Sequence, residues 1–254
     1  MTPWGSGGSG AGRRLPVDQR TLIIVAVAVV LGVVVAASHR ISSAQVIYFV
    51  VLVPSIIIHE ISHGAVALAF GDSTAKRAGR LNLNPIRHID PIGTLLVPAV
   101  LSLSGLGAYG WAKPVPVNAA NLRSPRNHIV FVSLVGPFIN FALAALLGVL
   151  FVATGGRTAL HEVYLLSQLS LIDQILLIGG FANIMLGVFN LIPCPPLDGA
   201  AILERLLPAR LLPGYWNLQP FLMFLPFLLI LLFRGAWSDL VNHLYQRWVT
   251  TLAG

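Results

Sequence analysis

The sequence has little charge and almost no cysteine. Only 10% of its 254 residues are charged and 56% are hydrophobic, with a mean hydropathy of +0.81, whereas soluble globular domains carry about a quarter charged residues. A water-soluble surface needs more charge than this, and a disordered chain has far fewer apolar residues. The one cysteine, Cys194, excludes an internal disulfide framework and a multi-cysteine metal site. What remains is a protein that crosses a membrane several times.

Acidic residues are the scarcer of the two charged classes, with nine Asp and Glu against sixteen Lys and Arg. The basic residues are scattered through loops and form no dense run, so we expect no nucleic-acid partner. We interpret the net charge of +7 as a consequence of the orientation of the protein in the membrane and of its contact with anionic lipid.

Apolar runs predict an all-α polytopic membrane protein with five or six transmembrane segments. The strong runs cover residues 21–37, 45–70, 128–154, 171–192 and 221–233. We expect a flexible tail over 1–20, a membrane-embedded domain over 21–233 and an interfacial tail over 234–254 with several aromatic residues. The first run is alternatively a secretory signal, but the long tail before it and the spans after it favour a retained helix.

Residues 92–109 form a short apolar run interrupted by glycine and proline, which either crosses or re-enters on one side. With a cytoplasmic N-terminus, re-entry places twelve of the sixteen Lys and Arg on the cytoplasmic side of the plasma membrane, whereas crossing places ten there. The positive-inside rule therefore favours re-entry. On either side of this run, residues 75–83 and 113–117 have the pattern of short strands, the second restricted to an edge by its prolines.

The strongest chemical signal is His59-Glu60-Ile61-Ser62-His63. Residues i and i+4 share one face of a helix, so both imidazoles can reach one zinc ion at about 2.0–2.1 Å. Glu60 beside them can take a proton from a zinc-bound water. Ionisable side chains inside an apolar span are costly and usually functional. Three of them in one turn therefore predict a metal site rather than a chance pattern.

A catalytic zinc has three protein ligands and one open position, and few other acidic residues or histidines are available. Most of these lie in loops, at span entrances or next to an arginine. Asp198 instead follows a proline-interrupted segment at the end of an apolar run, where irregular backbone typically lines a buried site. A carboxylate among apolar neighbours needs a cation. We therefore predict Asp198 as the third ligand, the alternative being an N-cap of the next helix.

Four more polar residues are candidates with weaker support. His88 and Asp90 either surround the site or line a water path, or else serve turn formation and helix capping. Asn140 either contacts the substrate or an oxyanion, or makes an interhelical hydrogen bond. Asn190 lies on the same helix face as Asn183, seven residues away, which is more typical of helix–helix contact.

Taken in order, four motifs resemble those of the site-2 protease family, zinc metalloproteases that cleave peptide bonds inside the membrane. They are H-E-x-x-H at 59–63, N-P-x-x-H-x-D-P-x-G-T at 84–94, G-P-x-x-N at 136–140 and N-x-x-P-x-x-P-L-D-G at 190–199, within residues 45–205. The resemblance implies one Zn²⁺ per chain bound by His59, His63 and Asp198, with Glu60 as general base and Asn140 contacting the substrate or the transition state. Members often carry a PDZ or CBS domain, and this chain resembles a minimal form without either.

The sequence thus predicts an intramembrane endopeptidase that acts on transmembrane protein substrates and opens toward the cytoplasm. The alternative is a zinc-binding membrane transporter or sensor without protease activity. Ions crossing a membrane need acidic residues or histidines on several spans, and the other strong runs lack internal charges. This absence favours the protease.

Overall fold

The structure is a computed structural model that describes residues 42–88, 90, 93, 113–162, 166–222 and 225–254. The first apolar run (21–37) and nearly all of the 92–109 run lie outside the described residues. The choice between crossing and re-entry falls on those residues. The span expected at 221–233 is not among the described helices that are long and apolar enough to cross a membrane. Within the described ranges all regular structure is helical, which confirms the all-α prediction there.

Ten α-helices occur in the described part of the chain, with short 3-10 turns between some of them. They are α1 (Ser43–Ala69), α2 (Thr74–Arg77), α3 (Pro85–His88), α4 (Pro125–Ala153), α5 (Gly156–Glu162), α6 (Leu171–Asn190), α7 (Ala200–Leu206), α8 (Leu212–Leu222), α9 (Leu225–Leu232) and α10 (Arg234–Ala253).

Helices α1, α4 and α6 form the centre of the molecule. With 27, 29 and 20 residues they are, among the described helices, the three long and apolar enough to cross a membrane, since about 20 helical residues span the hydrocarbon core. Each packs against the other two. Phe70 at the end of α1 stacks on His128 at the start of α4. Asn190 at the end of α6 lies at the same end of the bundle, which we call the Phe70 end.

Local sequence signals explain where these helices begin. A capping box starts α1, because Gln45 N donates to Ser42 Oγ and Ser42 N donates to Gln45 Oε1. Pro125 stands in the first turn of α4, where no backbone donor is needed. Ser170 Oγ accepts a hydrogen bond from the backbone N–H of Asp173 and caps α6.

The strands expected at 75–83 and 113–117 are not formed, and that prediction was wrong for the residues described. Thr74–Arg77 is a helical turn, and Gly79 with φ +63° reverses the chain after it. Residues 113–118 carry no regular structure, since Pro114 and Pro116 remove two of the donors that a strand ladder needs. A short alternation of apolar and polar residues is compatible with a turn as well as with a strand.

Asp72 ties this irregular segment to the end of α1. Its carboxylate accepts hydrogen bonds from the backbone N–H of Thr74 and of Asn118 and from Asn121 Nδ2, at 2.7–3.0 Å. Burial raises the pKa of Asp72, but a hydrogen bond from Thr74 Oγ1 together with these three outweighs it and lowers the pKa to about 2. The loop after α1 and the segment before α4 are thereby held together beside the three central helices.

The C-terminal segment forms helix α10, which runs antiparallel along α6. The contacts that define this pairing are Trp237 with Phe189, Tyr245 with Phe181, and Trp248 Nε1 donating to Leu177 O at 3.0 Å. The Trp248 indole occupies a notch between α4 and α6, where a Cβ on Gly148 or Gly180 would lie 2.6 or 2.2 Å from its ring atoms. The segment expected to lie at the membrane interface therefore buries Trp248 in the helical core.

Candidate metal centre

Helix α1 places His59 and His63 one turn apart on its buried face. Their side chains are buried, and their ring centroids lie 4.6 Å apart. Asp198, in the loop that follows α6, reaches both imidazoles. His59 Nε2 lies 3.0 Å from Asp198 Oδ2, and His63 Nε2 lies 3.4 Å from Asp198 Oδ1. The structure thus brings together the two residues predicted from helical spacing and the one predicted by elimination.

The loop after α6 carries Asp198 to this position. Gly199 N donates to Asn190 O at 2.7 Å, and a Cβ on Gly199 would lie only 2.3 Å from Leu191 O. The residue must therefore be glycine for the loop to fold back on the end of α6. Helix α7 begins next, and its N-cap is Gly199, without a side-chain hydrogen bond. Asp198 does not cap this helix, and its carboxylate faces the two histidines instead.

Gly136 lets α4 approach the imidazoles. A Cβ at this position would lie 2.5 Å from Cε1 of both His59 and His63, far inside the normal carbon–carbon separation of about 3.5–4.0 Å. Any side chain here would displace the rings or push α4 away. The close approach of α4 to the two imidazoles thus explains why the first residue of the G-P-x-x-N motif is glycine.

The second nitrogen of His63 fixes its tautomer. His63 Nδ1 lies 2.6 Å from Val132 O, and a carbonyl only accepts, so Nδ1 carries a proton and donates it. In the neutral imidazole the lone pair is then on Nε2, the atom that faces Asp198 Oδ1. Metal-binding histidines are typically oriented in this way by a backbone carbonyl.

The arrangement fits a bound cation. The lone pair on His63 Nε2 faces a carboxylate oxygen, and two acceptors repel each other unless a proton or a metal ion lies between them. One atom from each of His59, His63 and Asp198 lies within 4.8 Å of the others. Ligands at 2.0–2.1 Å around a tetrahedral centre lie about 3.3 Å apart, close to the 3.0 and 3.4 Å contacts. Two imidazoles, one carboxylate and an open position match a zinc site.

Glu60 lies next to this trio without belonging to it. Its half-buried carboxylate accepts a hydrogen bond from Val115 N to Oε2 at 2.8 Å. Sequence reasoning missed this contact. The signal for it was Pro114-Val115-Pro116, in which Val115 alone carries a backbone N–H.

Asn140 is completely buried one turn after Gly136 on α4. Neither its Nδ2 nor its Oδ1 has a hydrogen-bond partner among the described residues. The interhelical hydrogen bond that the sequence offered as one alternative is therefore not made there. Asn183 does make one, since its Nδ2 donates to Ser55 Oγ at 2.9 Å.

The remaining candidates bond mainly to backbone atoms, and His88 O accepts a long-range hydrogen bond from Lys113 N at 2.8 Å. His88 is buried and its Nε2 donates to Asn82 O at 2.7 Å, and Asp90 Oδ1 accepts from Gly93 N at 2.9 Å. Asn190 Nδ2 donates to Leu186 O of its own helix. The structure thus places His88 at the end of α3 and Asp90 in contact with Gly93 N, and it places the Asn190 carbonyl, rather than its side chain, under the Asp198 loop.

Comparison with known proteins agrees with this geometry. Residues 47–233 match the sequence model of peptidase family M50. The putative zinc metalloprotease YwhC of Bacillus subtilis is 41% identical over 160 residues, which cover 63% of this chain and 68% of that protein. The putative zinc metalloprotease Rip2 of Mycolicibacterium smegmatis is 32% identical over 151 residues, and Rip2 of Mycobacterium tuberculosis (strain Erdman) 34%. The chain spans about half the length of the Rip2 proteins, at 53%. No solved structure matches.

Proposed function

The chain belongs to peptidase family M50, and on that premise we propose that it is a zinc-dependent endopeptidase that cleaves peptide bonds within transmembrane segments of membrane proteins. One observation carries the proposal. His59, His63 and Asp198 converge at a buried point among helices apolar enough to cross a membrane, where ionisable groups are otherwise too costly to retain.

The three converging residues are proposed as the ligands of one Zn²⁺. His59 and His63 supply Nε2, and Asp198 supplies a carboxylate oxygen. When bound there, zinc supplies Lewis acidity for a water molecule and for the scissile carbonyl. Asn190 supports the site through its backbone, since its carbonyl holds Gly199 beside Asp198.

Glu60 is proposed as the general base. The Val115 N–H engages Oε2 and leaves Oε1 to accept the proton of the attacking water. The same carboxyl group then donates this proton to the leaving amine. His88 is proposed to support the segment that contacts Glu60, since its Nε2 donates to Asn82 O and its carbonyl accepts from Lys113 N at 2.8 Å. Asp90 is proposed to stabilise the chain next to His88, where its Oδ1 accepts from Gly93 N.

Asn140 is proposed to contact the substrate backbone. A buried amide without partners is unfavourable by about 1–3 kcal/mol, and a substrate that donates and accepts hydrogen bonds beside Gly136 removes that penalty. A transmembrane substrate must first unwind locally, because its peptide groups are bonded within its own helix.

The Phe70 end of the bundle is proposed to face the cytoplasm. Nine Lys and Arg lie in the described parts of 70–127 and 191–211 at this end, whereas the described part of 154–170 at the opposite end carries one. By the positive-inside rule the Phe70 end, which carries more Lys and Arg, faces the cytoplasm. His63 stands six residues before the end of α1, which places the site about 9 Å inside the bundle.

Zinc dependence tests this proposal. The purified protein in proteoliposomes with a single-span substrate should lose cleavage when a chelator removes zinc and regain it with one equivalent of Zn²⁺ per chain. His59→Ala should bind no zinc and remain inactive after the same addition. Zinc flux across the vesicle without cleavage would refute the protease and support the transporter alternative.

A further inference from the structure

The backbone donor that engages Glu60 is isolated in the sequence. Val115 stands between Pro114 and Pro116, neither of which has an N–H, so residues 114–116 carry a single backbone donor. That donor reaches Glu60 Oε2 at 2.8 Å. The Val115 side chain is buried against α1, where a Cβ on Gly64 would lie 2.9 Å from Val115 Cγ1. The segment therefore lies closely against the turn of α1 that carries Glu60.

A buried arginine holds this segment from the other side. Arg80 follows α2 and exposes only 9% of its surface. Its Nη2 donates to Lys113 O at 2.6 Å and lies 3.4 Å from Pro114 O. These are the two carbonyls directly before Val115. Burial lowers the pKa of Arg80, and attraction to the Glu60 carboxylate opposes this shift.

We propose that Arg80 is a positioning residue of the catalytic centre: by holding the Lys113 and Pro114 carbonyls, it fixes the Val115 N–H against Glu60 and so orients the general base. This inference rests on the proposed role of Glu60. A glutamate carboxylate on three rotatable bonds needs such a contact to stay aimed at one place, and misplacement by about 1 Å costs about 100-fold in rate.

The role predicts a specific kinetic signature. Arg80→Gln leaves the three proposed zinc ligands untouched, so zinc content and KM should remain within about two-fold of wild type, while kcat should fall ~10–100-fold. Arg80→Lys keeps a donor and should restore part of kcat. Arg87→Gln is the matched control: Arg87 donates to Gly79 O in the same loop but is exposed, so kcat should stay unchanged.

Val115→Pro removes the donor itself and should lower kcat in the same way. If Arg80 acts through this N–H, the losses in Arg80→Gln and Val115→Pro should not multiply in the double variant. Multiplying losses would overturn the proposal, as would wild-type kcat in Arg80→Gln, or loss of zinc in step with activity.

Hydrogen exchange supplies a readout that needs neither activity nor correct loading with metal. Because Val115 has the one amide in residues 114–116, the difference in deuterium uptake between overlapping peptides that begin before and after these residues reports its exchange by mass spectrometry. Arg80→Gln or Arg80→Lys should accelerate it, by about ten-fold for Gln, and Arg87→Gln should not. Unchanged exchange in both Arg80 variants would overturn the proposal. If wild type shows no zinc-dependent cleavage, the proposed function fails instead, and this exchange still tests the link from Arg80 to Val115.

Discussion

Replacing Gly136 by alanine is expected to damage the metal site far more than the fold. The added Cβ would lie 2.5 Å from Cε1 of His59 and of His63 and 2.6 Å from His59 Nε2. To restore a normal carbon–carbon distance, α4 or both rings must move by about 1 Å. The rings are buried and held by Val132 O and the Asp198 carboxylate, so the movement displaces the atoms that are proposed to bind zinc.

The effects of Gly136→Ala on the stability of the fold largely cancel. Overpacking costs about 1–3 kcal/mol, and replacing glycine by alanine inside a helix gains about 1 kcal/mol, so the thermal midpoint should fall by only a few degrees. Disturbed ligand orientation should weaken zinc binding by ~10–100-fold. Competition with a fluorescent zinc chelator in detergent measures this affinity, and differential scanning fluorimetry measures the midpoint.

Gly214→Ala is the matched control, because Gly214 also lies inside a helix and a Cβ there meets nothing within 4 Å. This variant should bind zinc as wild type does. If Gly136→Ala also kept wild-type zinc affinity and cleavage, the close approach of α4 to the imidazoles would not be part of the active protein.

Three further predictions address separate parts of the molecule. Asp198→Asn keeps the side-chain shape but removes the charge, so zinc per chain, measured by atomic emission after dialysis, should fall below a tenth of wild type; near-stoichiometric zinc would exclude Asp198 as a ligand. The pKa of Asp72 in the folded state, about 2, lies below its unfolded value near 3.9, so its stabilisation is complete above about pH 4 and lost as the pH falls toward 2. Asp72→Asn should therefore flatten the fall of the thermal midpoint between about pH 4 and pH 2, and an unchanged slope would contradict it. Trp248→Ala empties the notch at Gly148 and Gly180 and should cost about 3–5 kcal/mol without changing zinc content, whereas Trp248→Phe should cost less; equal midpoints for wild type and Trp248→Ala would show that α10 does not dock there.

The cluster of His59, His63 and Asp198 could be predicted because its signals are local or scarce. His59 and His63 are placed by helix periodicity alone, and they would face together in any helix that spans 59–63. Asp198 was identifiable because few acidic residues stand in an apolar, proline-interrupted context. The helices α1, α4 and α6 followed from their apolar length in the same way.

What the sequence did not reveal depends on distant parts of the chain. Arg80 counted only as a loop charge, and its contacts with Lys113 and Pro114 cross 33 and 34 positions. Trp248 was assigned to the membrane interface because its segment carries several aromatic residues, yet its indole packs between two other helices. Local pattern does not report which helix faces have room for a side chain.

The most direct test compares wild type with Glu60→Gln at equal zinc content in proteoliposomes that contain a single-span substrate. Glutamine keeps the shape of the side chain but cannot take the proton, and none of the proposed ligands changes. We predict one zinc per chain in both proteins and cleavage lowered by ~100–10,000-fold in Glu60→Gln. Cleavage by zinc-loaded Glu60→Gln at the wild-type rate would contradict the account.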